Sequence, residues 1–287
     1  MNVRNLILVV MLGGFATLNG TAQSIYFVND QDSTGDRFTT ALGSDSNPGT
    51  VSAPFASIQK AVQLVGAGGQ VYVDAGTYTE QITISKNMFV YGAGCNVSVV
   101  RLPDSTAPAP GDFFERGTFQ TVAGLANVHL SGFSISGRLS VGLETITPVI
   151  IQGGGSVRNC ILKEGNQGVF FRLLSGVVNA SVDNNAIEAE FIGINFEGSG
   201  IRASMTNNNI RVFNSGFSAG VFAGSAGTFS ASGNSIGNYV TVGFQVASNV
   251  SITQNSIVGR SGSAIAGGGG ILATCNWYGS DSLAVIQ

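Results

Sequence analysis

Charge is scarce in this sequence: Asp, Glu, Lys and Arg make up only 10% of its 287 residues. The 13 basic and 16 acidic side chains leave a formal net charge of −3, so no electrostatic reason exists to expect nucleic acid or an anionic membrane surface as a partner. Histidine occurs once, at His129, tryptophan once, and cysteine three times. Proline is also rare, with six residues, whereas glycine numbers 41 and hydrophobic residues reach 44%. A chain this apolar is not disordered, and one this rich in glycine is not built of helices. Beyond the first residues, no apolar run is long enough to span a membrane.

Those first residues, MNVRNLILVVMLGGFATLNGTAQS, set Arg4 ahead of a short apolar run from Leu6 to Leu12, with the small residues Gly20-Thr21-Ala22 behind it. Residues 1–23 therefore read as a secretory signal peptide, because the run falls short of the ~20 residues a span requires. Export to the extracellular space or the cell surface is expected.

What the sequence does contain is a repeat. Asn-x-Ile recurs as Asn159-Cys-Ile161, Asn185-Ala-Ile187, Asn208-Asn-Ile210, Asn234-Ser-Ile236 and Asn255-Ser-Ile257, with a further copy at Phe133-Ser-Ile135. The isoleucines are 21 to 26 residues apart. A Gly-apolar-x-apolar run follows most copies, from Gly168, Gly193, Gly220 and Gly243, and short alternating runs such as SVDNN, SMTNN and SITQN precede them. Each unit holds about three short strands and no helix, which predicts an all-β, single-stranded, right-handed parallel β-helix with three sheets and ~21–26 residues per rung. Equivalent residues then stack ~4.8 Å apart. On this reading the isoleucines form a buried column, and Asn159, Asn185, Asn208, Asn234 and Asn255 are turn residues that tolerate left-handed φ/ψ and bond along their column.

The amino-terminal part differs. IYFVND from Ile25 reads as a strand, a Gly- and Asp-rich loop follows, and Phe55, Ile58, Ala61, Val62 and Val65 share one helical face that Gly66 ends. Residues 24–80 are thus expected to cap the solenoid and begin its first strand, and residues 81–287 to form the coils. DSLAVIQ at the end reads as a strand with nothing covering it, so further modules of a longer protein are expected.

The runs DSNPGT, APFASIQKAV, GGQVYVDAGTYTEQITISK and VYGAG, together with CNWYGS from Cys275, resemble secreted right-handed β-helix proteins of the pectin-lyase-like superfamily, of the kind found on surfaces of Bacteroidetes-type bacteria. The resemblance implies the fold and leaves the activity open, since that superfamily holds lyases, hydrolases, esterases, epimerases and non-catalytic modules. The calcium-holding aspartate cluster of pectate lyases has no counterpart in the coils, where Asp183 stands alone, and the polygalacturonase motifs are absent. His129, in NVHLSGF, reads as an outward strand residue. The expected function is a secreted or cell-surface module, non-catalytic and adhesin-like or polysaccharide-binding; the alternative is a polysaccharide lyase or glycoside hydrolase with an unrecognised site.

A middle belt of charge carries the candidate site residues. Three positions past each anchoring isoleucine stand Glu164, Glu190, Phe213, Tyr239 and Arg260, with Glu188 just before Glu190. If they stack, Glu164, Glu188 and Glu190 offer oxygen ligands to calcium, and Phe213, Tyr239 and Arg260 a face for a sugar. Arg172 and Glu197, each four residues past a rung glycine, are expected to pair on adjacent rungs. Cys95, Cys160 and Cys275 are too far apart along the axis to bridge, and three free thiols are expected.

Overall fold

The computed structural model describes residues 24–111, 114–138, 144–247 and 250–279; residues 1–23, read above as a signal peptide, and the terminal DSLAVIQ lie outside them. Ten strands stack in one parallel sheet, here the first face: Ile25–Val28, Gln70–Val73, Met88–Gly92, Leu125–Ser131, Gly153–Arg158, Val178–Asp183, Ile201–Thr206, Thr228–Ser232, Val250–Thr253 and Ile271–Thr274. A second sheet of 14 strands wraps the other two faces, because Ile161–Arg172 and Ala186–Glu197 run on through the corner between them. All pairings between named strands are parallel, and the chain is a right-handed parallel β-helix.

The core is built of columns. Ile135, Leu162, Ile187, Ile210, Ile236 and Ile257 stack rung upon rung and are at most 1% exposed. Phe171, Phe196, Phe229 and Phe244 form a second chain of ring contacts at 5.5 to 6.0 Å between centroids. Each such side chain contributes roughly 1.5–3 kcal/mol by leaving water. The two sequence motifs interlock here. A methyl group on Gly193 would land on Cγ2 of Ile210, and one on Gly168 on Cγ2 of Ile187, so glycine is required by close approach.

Two details of the repeat differ from the sequence reading. In the rung that begins at Cys160, Leu162 and not Ile161 is the partner of Ile187, which puts Cys160 and not Asn159 in the asparagine column. The left-handed residues are those just before that column: Asn159 (φ 53), Asn184 (φ 56), Asn207 (φ 54), Gln254 (φ 59) and Cys275 (φ 57). Asn185, Asn208, Asn234 and Asn255 are instead buried, 2–3% exposed, with their amides bonded along the axis. A turn this tight needs one residue to reverse the chain and the next to satisfy the main-chain groups the reversal buries, and asparagine serves either role.

The helix Ile58–Leu64 lies on the first rung, burying Phe55, Ile58, Ala61, Val62 and Val65. Ser57 makes no side-chain cap; Glu80, from the first coil, accepts the N–H groups of Ile58 and Gln59 at 2.8 and 2.9 Å. On the third face, the segment 102–111 lies across the sheet. Ala109 packs on Ile150 and Phe170, and Gln81, Gln120 and Gln152 bond its main chain. That face is covered at those rungs, whereas among the described residues the first face is open beyond Tyr72, on which Phe38 packs edge-on.

Candidate functional site

The charged belt is real, but its register differs from an ungapped count. Glu164 adopts φ 60 at a bulge, and pairing resumes with Gly165 opposite Ala189. The pairing of Leu162 with Ile187 already offsets the count by one and the bulge inserts one residue more, so the neighbour of Glu190 is Asn166, whose Nδ2 donates to its Oε2 at 2.8 Å. A second irregularity restores the register at Gln167 and Ile192. Glu164 and Glu190 are thereby kept from stacking as like charges. Lys163, Glu164, Glu188, Glu190, Phe213 and Asn214 line one cavity of about 640 Å³. Among the described residues, however, no group of three or more His, Cys, Asp or Glu side chains is gathered as a metal site requires, so the expected calcium triad of Glu164, Glu188 and Glu190 is not formed.

The proposed sugar face also divides. Phe213 is 49% exposed at the cavity wall. Tyr239 is 3% exposed and packed against Gly243 and Gly259, and burial raises its phenol pKa. Arg260 donates to the carbonyl oxygens of Asn238, Phe213 and Asn214 at 3.1 to 3.2 Å and so clips three turns together. Arg172 and Glu197 stand opposite each other with Nε 3.7 Å from Oε1, the expected cross-rung pair. The three cysteines are free.

A second site lies on the open first face. Outward residues alternate along each strand and stack across rungs, so one column reads Phe89, His129, Ser156, Ser181, Ser204, Ser230 and Ser251. The column beside it reads Phe27, Tyr72, Tyr91, Ser131, Arg158, Asp183, Thr206, Ser232 and Thr253. The early rungs thus present an aromatic ribbon. Tyr72 stacks on Tyr91 at 5.2 Å, Tyr91 on Phe89 at 6.2 Å, and Phe89 on His129 at 4.6 Å with ring planes 11° apart. The later rungs present ranks of hydroxyls.

Two cavities share Asn127 and His129 as walls. One, of about 540 Å³, extends to Asn87 and Phe89; the other, of about 450 Å³, extends past Arg158, Asn179 and Arg202 to Thr228 and Ser230. Together they form one groove along the axis, crossing six strands, about 24 Å at ~4.8 Å per rung. His129 Nδ1 lies 2.7 Å from Ser156 Oγ. Burial, and then the charge of Arg158, lower the pKa of this histidine, which is neutral at pH 7. Ser156 lines the groove but is only 3% exposed, and its contact with Nδ1 orients the ring. Arg158 pairs with Asp183 at 3.2 Å, and Thr206 donates to that carboxylate at 2.7 Å.

The sequence held a signal for this face that period alone did not reveal. The alternating runs SVDNN, SMTNN, SASGN and SITQN each place Ser and then Asp, Thr or Ser two residues apart, before the buried asparagine. Those are the outward positions of successive rungs.

In backbone shape the chain is similar to XylC in its complex with xylose, with a TM-score of 0.56 and 12% identity over 87% of this chain and 66% of that one. It is similar also to the pectin methylesterase PemA from Erwinia chrysanthemi (TM-score 0.53, 12% identity, 84% and 80% covered) and to the pectin methylesterase from Aspergillus niger (0.53, 14%, 88% and 89%). At such identities the likeness carries the fold and not the chemistry. No curated protein matches the chain. A family model described as a protein of unknown function, DUF1565, matches residues 41–260, from ahead of the helix through most of the coils, and the chain belongs to that family.

Proposed function

We propose that this protein is an exported, non-catalytic β-helix module that binds a polysaccharide along the groove of its first face. The observation that carries the reading is the continuity of that groove: an aromatic ribbon runs into ranks of hydroxyls and amides on one uncovered sheet. A sugar chain presents alternating apolar ring faces and hydroxyl edges, which such a surface complements. The fold neighbours named for xylose and for pectin methylesterase activity support carbohydrate as the ligand class. A rigid sheet also suits a linear ligand, since stacked side chains are already ordered before binding.

A glycan array followed by calorimetry tests this. Binding is expected to weaken about tenfold in Phe89→Ala and to be unchanged in Phe213→Ala, which alters the other cavity. Release of reducing ends or unsaturated uronides from any bound polysaccharide would instead establish a lyase or hydrolase.

A further inference from the structure

The groove is segregated by charge. The chain carries a net charge of −3, yet neither cavity of the groove is lined by Asp or Glu, while Arg158 and Arg202 line it. Glu164, Glu188 and Glu190 line the cavity of the charged belt instead. The two arginines differ in what they already hold. Arg158 is committed to Asp183 and reaches Ser181 Oγ at 3.4 Å. Arg202 is exposed, and its register partners are the uncharged Asn179 and Thr228. Among the described residues, nothing forms an ion pair or hydrogen bond with its side chain.

An unoccupied guanidinium offers five donors in a planar fork that matches a carboxylate with two parallel bonds. It stands two residues before Ser204 on the same outward face, flanked across rungs by Asn179 and Thr228, so an anion held there lies beside the serine column. Taking the groove as the glycan site proposed above, we infer that it receives a linear polyuronate, with Arg202 binding a ring carboxylate. Phe89 stacks a sugar ring further down the groove, and Ser181, Ser204 and Ser230 meet ring hydroxyls at the rung repeat. Stacking and hydroxyl contacts serve any glycan; the carboxylate contact supplies the selectivity.

Calorimetry on the full chain with three probes tests the assignment: an alginate oligomer, the same oligomer with its carboxyls reduced to alcohols, and dextran sulfate. Alginate is expected to bind at least about tenfold more tightly than its reduced form. That preference should shrink as salt is raised and vanish in Arg202→Gln, with the reduced oligomer losing far less affinity than alginate. Arg202→Lys, which keeps the charge and loses the fork, should retain only part of it. Ser230→Glu, which places a carboxylate in the groove, provides an independent variant and should weaken alginate selectively. Equal binding of alginate and its reduced form overturns the uronate assignment and leaves the glycan groove standing. Dextran sulfate binding as tightly, with the same dependence on Arg202, overturns it in favour of plain attraction of polyanions. If none of the three probes binds, the glycan reading falls with it.

Discussion

Asn185 gives two hydrogen bonds to one oxygen of Asn208: its main-chain N–H donates at 3.0 Å and its side-chain Nδ2 at 2.9 Å. Asn208 does the same to Asn234, Asn234 to Asn255, and Asn255 to Asn276. Each Nδ2 also reaches a main-chain carbonyl of the rung before, as Asn208 does with Val182 at 2.7 Å. The column therefore satisfies the polar groups that the turn takes out of water, on rung after rung.

Asn208→Leu leaves the main-chain N–H of Asn185 buried without an acceptor, while its Nδ2 keeps only the carbonyl of Val157. At ~1–3 kcal/mol for an unsatisfied buried group, a loss of about 1–3 kcal/mol is expected in urea unfolding. Asn207→Gly, at the neighbouring exposed position with φ 54, should change stability by less than about 1 kcal/mol, because glycine adopts that conformation freely.

Gly193→Ala puts a methyl group onto Ile210 Cγ2 and close to the carbonyl oxygen of Gly220. Overpacking of this kind costs about 1–3 kcal/mol or more. Ile210→Leu in the same chain should recover part of the lost melting temperature, since leucine is not branched at Cβ and lacks the Cγ2 methyl that the alanine meets. Absence of any rescue would mean that the main chain, rather than Ile210, meets the new methyl.

Burial pushes the Cys160 thiol up to about 12, whereas Cys275 is exposed. A thiol reagent at pH 8 should modify Cys275 in the native protein and spare Cys160. Denaturation without reductant should then bring the total to three thiols. A total of one would reveal a disulfide.

His129 has a pKa below its ordinary 6.5, chiefly because it is buried. Between that folded value and 6.5 the unfolded chain binds more protons than the native one. The contribution is therefore complete above pH 6.5 and is lost as pH falls towards the folded pKa. Melting temperature should drop over that window in the wild type and drop less in His129→Gln. The imidazole resonances should titrate below 6.5.

The β-helix itself was legible in the sequence because its physics is periodic. A rung of 21 to 26 residues with a buried isoleucine, a glycine against it and a bonded asparagine repeats the same local solution, and each repeat reports on the others. The capping helix was legible for the same reason at a 3.6-residue period, through Phe55, Ile58, Ala61, Val62 and Val65.

The sites were less legible, and two residues show why. Glu164 and Glu190 hold matching places in an ungapped count, but the pairing of Leu162 with Ile187 offsets that count by one and the bulge at Glu164 by one more, which delivers Asn166 to Glu190. A second irregularity restores the register at Gln167 and Ile192, so paired local shifts exchange the neighbours at the belt while leaving the sequence period almost intact. Phe213 and Tyr239 likewise look equivalent in sequence, yet one is half exposed and the other is buried beside two glycines.

Sequence by itself thus determined the solenoid, its buried columns and the place of its helix, because stacking demands local consistency at every rung. Only the tertiary structure decided which outward residues meet. Phe89, His129, Ser156 and Arg202 come from four different strands, and their union in one open groove depends on accumulated register and on the segment 102–111 covering the third face instead of the first. Register is a sum over all intervening turns, so no short stretch of sequence contains it.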